Sequence, residues 1–108
     1  MPLKIARIAV EQTAYSFDKA FDYYIPVELR EKALPGCRVL IPFGKGNRKR
    51  QGMIMELIED NDLEVTKPIL AVLDKAPLLN SEMLELAKWI KEKYFCTLFD
   101  AIKPMLPT

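Results

Sequence analysis

Apolar and polar positions change period along the chain, and each change marks an element. Leu3 to Val10 reads Leu-Lys-Ile-Ala-Arg-Ile-Ala-Val, rich in β-branched residues with imperfect alternation, and predicts a first strand. Thr13 to Lys19 is polar and aromatic without a clear period. Phe21, Tyr23 and Ile25 then alternate with Asp22 and Tyr24, which predicts a strand stopped by Pro26. Pro35-Gly36 presets a type II turn, since proline fixes φ at its first central position and glycine supplies positive φ at the second. The turn leads into a strand over Cys37 to Ile41 that ends at Pro42-Phe43-Gly44. Lys45 to Arg50 reads as a basic connecting loop, and Gln51 to Glu59 as an apolar strand pairing antiparallel with Cys37 to Ile41. Gly52 marks a bulge or a close backbone approach. The acidic run Glu59 to Glu64 predicts a turn, and Lys67 to Asp74 a strand with Pro68 near its start.

Helical spacing begins only at Asn80 or Ser81, either of which suits an N-cap. Glu82 and Glu85 near the start and Lys88, Lys91 and Lys93 near the end match the helix dipole. Met83, Ala87, Ile90 and Tyr94 recur at helical spacing and predict a buried stripe with Leu86 beside it. Phe95 to Lys103 predicts a second short helix, broken by Pro104 and Pro107. The expected fold is α+β: a twisted, mostly antiparallel, barrel-like β-sheet over residues 1–75, with helices over 79–103 packed against it.

A length of 108 residues fits one domain, 1–108, with a core large enough to fold without staples. No apolar run is long enough to cross a bilayer and the N-terminus lacks a signal-peptide stretch, so the expected location is cytoplasmic. Two cysteines, Cys37 and Cys96, and no histidine cannot build a four-ligand zinc site, and the usual imidazole-dependent hydrolase arrangements are excluded. In a reducing cytoplasm both thiols read as buried and inert. The near-neutral total charge hides a segregation: residues 1–50 hold ten basic and five acidic side chains (+5), and residues 51–108 hold six and ten (−4). Lys45, Arg48, Lys49 and Arg50 cluster without an acid among them. Such a run meets a phosphate chain or is a solvated loop tip, the commoner case.

The segment Gly44 to Gly52 invites comparison with phosphate-cradling loops, but it lacks the glycine-lysine-hydroxyl succession of a Walker A loop. Its glycines join two strands and do not open a helix, so the dinucleotide fingerprint fails as well. Asp18 and Asp22 share a strand face too far apart to share a proton, which leaves them poor candidates for hydrolysis and better read as ordinary carboxylates. Tyr15, Phe17, Phe21, Tyr23, Tyr24 and Phe43 lie near the basic run and suit base stacking, yet aromatics at strand spacing are mostly core. Trp89 fits packing as well as function.

Taken in order, Phe21-Asp22-Tyr23, Ile25-Pro26, Pro35-Gly36-Cys37-Arg38-Val39, Ile41-Pro42-Phe43-Gly44-Lys45, Gln51-Gly52-Met53-Ile54, Lys67-Pro68-Ile69 and Val72-Leu73-Asp74 form a specific set. Over essentially the whole chain it resembles the N-terminal DNA-binding domain of the PriA replication-restart helicases. The resemblance implies a parent that is an ATP-dependent 3′ to 5′ DNA helicase active in primosome assembly, from which this domain is a piece without catalytic residues or cofactors of its own. ATP, magnesium and zinc belong to the rest of such a parent. It further implies that the domain receives the 3′ end of a nascent leading strand at a fork, in a pocket of Phe21, Asp22, Gly44 and Lys67, with Lys45, Arg48, Lys49 and Arg50 on the DNA backbone. The implied partners are forked or single-stranded DNA with a free 3′ end, the parent's other domains, primosome proteins and single-strand-binding proteins, with no membrane. The alternative is a protein-interaction module that docks those domains. The chemistry of the pocket is sound: a free 3′ hydroxyl donates a hydrogen bond that a carboxylate accepts, and a continuing phosphate is repelled by the same group.

Overall fold

The computed structural model describes residues 3–11, 21–60, 65, 67–94 and 96–107. Strands β1 (Leu3–Val10), β2 (Phe21–Tyr24), β3 (Arg38–Phe43), β4 (Arg48–Asp60) and β5 (Ala71–Val72) precede helices α1 (Ser81–Tyr94) and α2 (Leu98–Ile102). The sheet has the order β2-β1-β4-β3-β5, and every ladder is antiparallel. The α+β expectation holds. The polar stretch Thr13 to Lys19 with Tyr15, Phe17 and Asp18, the acidic residues Asp62 and Glu64, and Phe95 lie outside the described residues.

The sheet curls strongly, because β2 and β3, separated by two strands, meet across its concave side. The Phe21 and Phe43 rings are 5.1 Å apart and nearly perpendicular, an edge-to-face contact suited to the ring quadrupoles. Tyr23 donates its hydroxyl hydrogen bond to the Pro42 carbonyl at 2.8 Å, which satisfies its buried oxygen. Burial pushes the Tyr23 phenol above its usual range. The curl stops short of a closed barrel: among the described residues, only an isolated parallel bridge, Tyr24 to Pro68, stands between the β2 edge and the segment from Lys67.

That segment corrects the expected strand over Lys67 to Asp74, since only Ala71–Val72 joins a ladder. Its first half bonds β2, through Tyr24 N–H to the Lys67 carbonyl and Ile69 N–H to the Tyr24 carbonyl. Its second half bonds β3, through Leu70 N–H to Leu40 and Leu73 N–H to Arg38. Switching partners midway, with a proline that cannot donate, prevents one continuous ladder.

The hairpin of β3 and β4 forms as expected but is tighter. The turn spans Gly44 to Asn47, and Arg48, Lys49 and Arg50 belong to β4, opposite Phe43, Pro42 and Ile41, and not to a loop. The acidic Glu59 and Asp60 likewise extend β4. The Pro35-Gly36 turn is present, with Gly36 at φ 93° and Cys37 N–H bonded to the Leu34 carbonyl. Gly52 packs against β1 so closely that a Cβ would strike Ile8 and Ala9. The register shift itself lies at the Arg7/Ile8 step, where Met55 is the extra residue of β4.

Two clusters form the core. Ala6, Ile8, Val10, Tyr23, Ile25, Val39, Ile41, Ile54 and Ile69 fill the concave side. Ala9, Met53, Met55, Leu79, Leu84, Ala87, Leu98, Phe99 and Ile102 join the convex side to the helices. β1 is thus buried on both faces, which explains its imperfect alternation. Asn80 caps α1 through Met83 N–H at 2.9 Å, and Thr97 caps α2 through Asp100 N–H at 3.0 Å. The buried stripe of α1 is Leu84 and Ala87; Met83, Leu86 and Tyr94, expected inside, are exposed. Apolar residues at 83, 84, 86, 87, 89 and 90 offer two overlapping stripes, and the one rotated toward the sheet and α2 wins. Cys37 is buried and Cys96 partly so, and both are free. Burial raises the Cys37 thiol above its usual range. No described helix is long and apolar enough to cross a membrane.

Candidate nucleic-acid interface

Three sequence-distant segments meet at one end of the curled sheet. Phe21 opens β2, Phe43 and Gly44 close β3, and Lys67 reaches both: its carbonyl holds Tyr24 of β2, while its ammonium donates to the Gly44 carbonyl at 2.7 Å. The Phe21–Phe43 contact completes the junction. Gly44 has φ 72°, a left-handed conformation that disfavours a side chain, and an added Cβ would meet nothing within 4 Å. A small, open backbone surface therefore lies beside a lysine and two partly buried aromatic rings.

Asp22 reaches this corner through its backbone. In antiparallel pairing, hydrogen-bonding direction alternates residue by residue. The Tyr24 N–H and C=O point away from β1 to Lys67 and Ile69, so those of Asp22, two residues earlier, point to the same side. The carboxylate occupies the face of β2 opposite Phe21, in register with Arg7 of β1. Its Oδ1 lies 3.3 Å from Arg7 Nε, close enough for charge attraction. The alignment is not that of a hydrogen bond, and this buried oxygen has no hydrogen-bond partner among the described residues. Arg7 instead donates to Glu56 Oε1 of β4 at 3.0 Å. Arg7 and Glu56 were not among the residues expected from sequence. The available signal was Arg7 itself, a lone cation in an apolar strand.

The four clustered cations do not act as one patch. Lys45 sits in the turn. Arg48 and Arg50 share the face of β4 that carries Phe43 on β3, while Lys49 points to the other face. The Arg50 guanidinium lies over the Phe43 ring at 4.7 Å and donates to the Glu11 carbonyl at 3.4 Å.

Two resemblance-bearing motifs serve the fold instead. Arg38 and Asp74, from Pro35-Gly36-Cys37-Arg38-Val39 and Val72-Leu73-Asp74, form a clamp. The Arg38 backbone N–H donates to Asp74 Oδ2 at 2.8 Å, and its guanidinium reaches Oδ1 at 2.7 Å and both oxygens from Nε at 3.1–3.2 Å. Burial pulls the Asp74 carboxyl upward, but the Arg38 hydrogen bonds and charge outweigh it and hold the group below its usual range.

Residues 7–107 match the family model described as the 3′ DNA-binding domain (3′BD) of PriA. The chain is similar to the replication restart protein PriA of Bacillus subtilis, 33% identical over 97% of this chain, and of Haemophilus influenzae, 31% identical over 97%. It is also similar to that of Chlamydia trachomatis, 28% identical over 86% of this chain. It spans 13–14% of the length of these relatives. Geometry, motif order and similarity converge: the chain belongs to the family of PriA 3′ DNA-binding domains found in replication restart proteins.

Proposed function

We propose that the domain binds the 3′-terminal nucleotide of the nascent leading strand at stalled or branched forks, without sequence preference, and so orients a parent ATP-dependent 3′ to 5′ helicase for primosome assembly and replication restart. The domain itself binds and does no chemistry; ATP turnover belongs to the rest of the polypeptide, in the cytoplasm. The observation that carries this reading is the corner itself, where the Phe21 ring, the open Gly44 backbone and the Lys67 ammonium meet, with Asp22 next to Phe21 in β2 and its backbone turned away from β1. A neutral 3′ hydroxyl fits an Asp22 oxygen, side chain or backbone, as a donor, whereas a 3′ phosphate brings only acceptors and negative charge. Phe21 offers an apolar wall that every base face tolerates. Gly44 lets the sugar approach backbone, and the Lys67 ammonium reaches the base or the last phosphate. Arg48 and Arg50, on the Phe43 face, then lie on the side along which the preceding phosphates run, with Lys45 in the turn.

The test titrates labelled single strands that differ only in ending with a 3′ hydroxyl or a 3′ phosphate. A preference for the hydroxyl of about tenfold or more supports the reading; equal affinity overturns it.

A second reading, docking of the parent's other domains or of primosome proteins, is favoured by the outer side of α1. Leu86 is 48% and Trp89 51% exposed there, with Lys93 4.9 Å over the Trp89 ring. Salt titration separates the two, since DNA binding weakens steeply with salt and a docking module binds little DNA at any ionic strength.

A further inference from the structure

An aromatic wall stacks best on a base when its ring plane is already fixed, because a side chain immobilised on binding costs free energy that a held one does not. Phe21 opens β2, at one edge of the strand order, and a ring that holds it comes from β3, two strands away. Phe43 meets it edge-to-face, with centroids 5.1 Å apart. Phe43 is itself held from two sides. The Arg50 guanidinium covers its ring at 4.7 Å, and the Tyr23 hydroxyl bonds the carbonyl of the preceding Pro42. Arg50 is anchored in turn by donating to the Glu11 carbonyl at 3.4 Å. Glu11 is tied to β4 twice, its N–H donating to the Gln51 carbonyl and its Oε1 accepting from the Gln51 N–H, each at 3.0 Å. Glu11, Arg50, Phe43 and Phe21 thus form one connected row, from the end of β1 through β4 and β3 to the start of β2.

We propose that Phe43 and Arg50 are positioning residues for the terminal base: Phe43 fixes the plane of the Phe21 ring, and Arg50 acts by holding Phe43 and not by contacting phosphate. This rests on the terminus-binding reading above, which it deepens. The two arginines on this face of β4 then have different tasks. Arg48 lies directly opposite Phe43 and is exposed, whereas Arg50 is half-buried with its guanidinium over the ring. Moving that guanidinium out to a phosphate would take away the support of the ring, so the same cation cannot serve both ends at once.

The experiment uses labelled hydroxyl-ended single strands whose last residue carries thymine or is an abasic deoxyribose, and measures the ratio of their affinities over a range of salt. Native protein is compared with Phe43→Leu, Arg50→Gln and Lys32→Gln. Lys32 is an exposed cation in the turn after the 3₁₀ helix Val27–Leu29, and its variant controls for loss of one positive charge. The native protein should prefer the base-bearing end about tenfold. Phe43→Leu and Arg50→Gln should each lower that preference about threefold or more. The slope of log affinity against log salt should stay native in Arg50→Gln, and Lys32→Gln should change neither quantity. A purely structural role would move the urea midpoint and leave the ratio alone; a phosphate contact by Arg50 would lower the slope by about 1 and leave the ratio alone. Either result overturns the proposal, as does a native protein indifferent to the terminal base. Should Phe43→Leu not fold, Arg50→Gln decides. Titration of the same proteins with hydroxyl-ended and phosphate-ended strands separates the two readings. A native hydroxyl preference with an unmoved base ratio leaves terminus recognition standing and removes the role given to Phe43 and Arg50; a native protein without that preference removes both.

Discussion

Two arginine–aspartate pairs lie in one curled sheet, and they are built for opposite ends. The Asp74 side chain is 6% exposed and spends both oxygens on Arg38, whose backbone and guanidinium surround it. The Asp22 side chain is 28% exposed, and Arg7 stands beside it with its hydrogen bond given to Glu56. Both aspartates lie in motifs that carry the family resemblance, yet only Asp74 has both oxygens hydrogen-bonded by its arginine. Charge and sequence motif alone do not show how a carboxylate is used; the difference between these two lies in how many lone pairs the fold has already taken.

The comparison breaks most visibly at Asp74. Asp74→Ala removes every acceptor from Arg38 and unties the segment that follows β5 from the start of β3. It should cost about 2–4 kcal/mol of stability in urea unfolding, with terminus preference unchanged in the protein that remains folded. Acid acts on the same pair. Because Asp74 has a folded pKa below its ordinary 3.8, its contribution is fully present above that ordinary value and is lost as pH falls through the lower folded one. Urea midpoints of the native protein should therefore drop below pH 4 in part through this group, and Asp74→Ala should flatten that portion of the curve.

Asp22→Ala should do the reverse. Its partly exposed, unaligned ion pair contributes less than about 1 kcal/mol to stability, while affinity for hydroxyl-ended strands falls about tenfold and affinity for phosphate-ended strands holds or rises. A uniform loss for both ends would locate the damage in the fold and remove Asp22 from the pocket. Gly44→Ala comes next in size. The positive φ costs a side chain about 1 kcal/mol, and the added methyl meets nothing in the free protein. A loss of DNA affinity in folded protein at low temperature then reports a nucleotide approaching that Cα; unaltered affinity would mean that the terminal sugar sits elsewhere.

Much of this architecture was legible in the sequence where the determinant is local. Pro35-Gly36 and Gly44 announce turns through their dihedral requirements, so the β3–β4 hairpin follows, and Asn80 announces α1. What escaped is set by non-local geometry. The segment from Lys67 divides its hydrogen bonds between two strands far apart in the chain, which no local pattern encodes. α1 offers two apolar stripes, and only the docking partner chooses Leu84 and Ala87 over Met83 and Tyr94. At the candidate site, family motifs point to Phe21, Gly44 and Lys67, but the tie that Lys67 makes between β2 and Gly44 exists only in the folded chain. Arg7 and Glu56 stand far from Asp22 in the sequence, and their relation to it exists only once β1 is placed between β2 and β4.

The smallest expected effect concerns cations, and it applies the same distinction between side chains that are spent and those that are spare. Arg50 is engaged by the Phe43 ring and the Glu11 carbonyl. Arg48 and Lys49 are both exposed and adjacent in β4, but strand alternation turns them to opposite faces, with Arg48 on the side of Phe43. Both alanine variants should leave stability within about 0.5 kcal/mol. A strand whose terminal nucleotide sits at the Phe21–Gly44–Lys67 corner runs its phosphates past Arg48 and not past Lys49. Arg48→Ala should then reduce the slope of log affinity against log salt by about 1, one phosphate contact fewer, and Lys49→Ala should leave the slope unchanged. Equal slopes for the two variants would make the basic cluster a diffuse field without a path for the strand. A larger change for Lys49 would put the DNA on the convex face of the hairpin, away from the corner where Phe21, Gly44 and Lys67 meet.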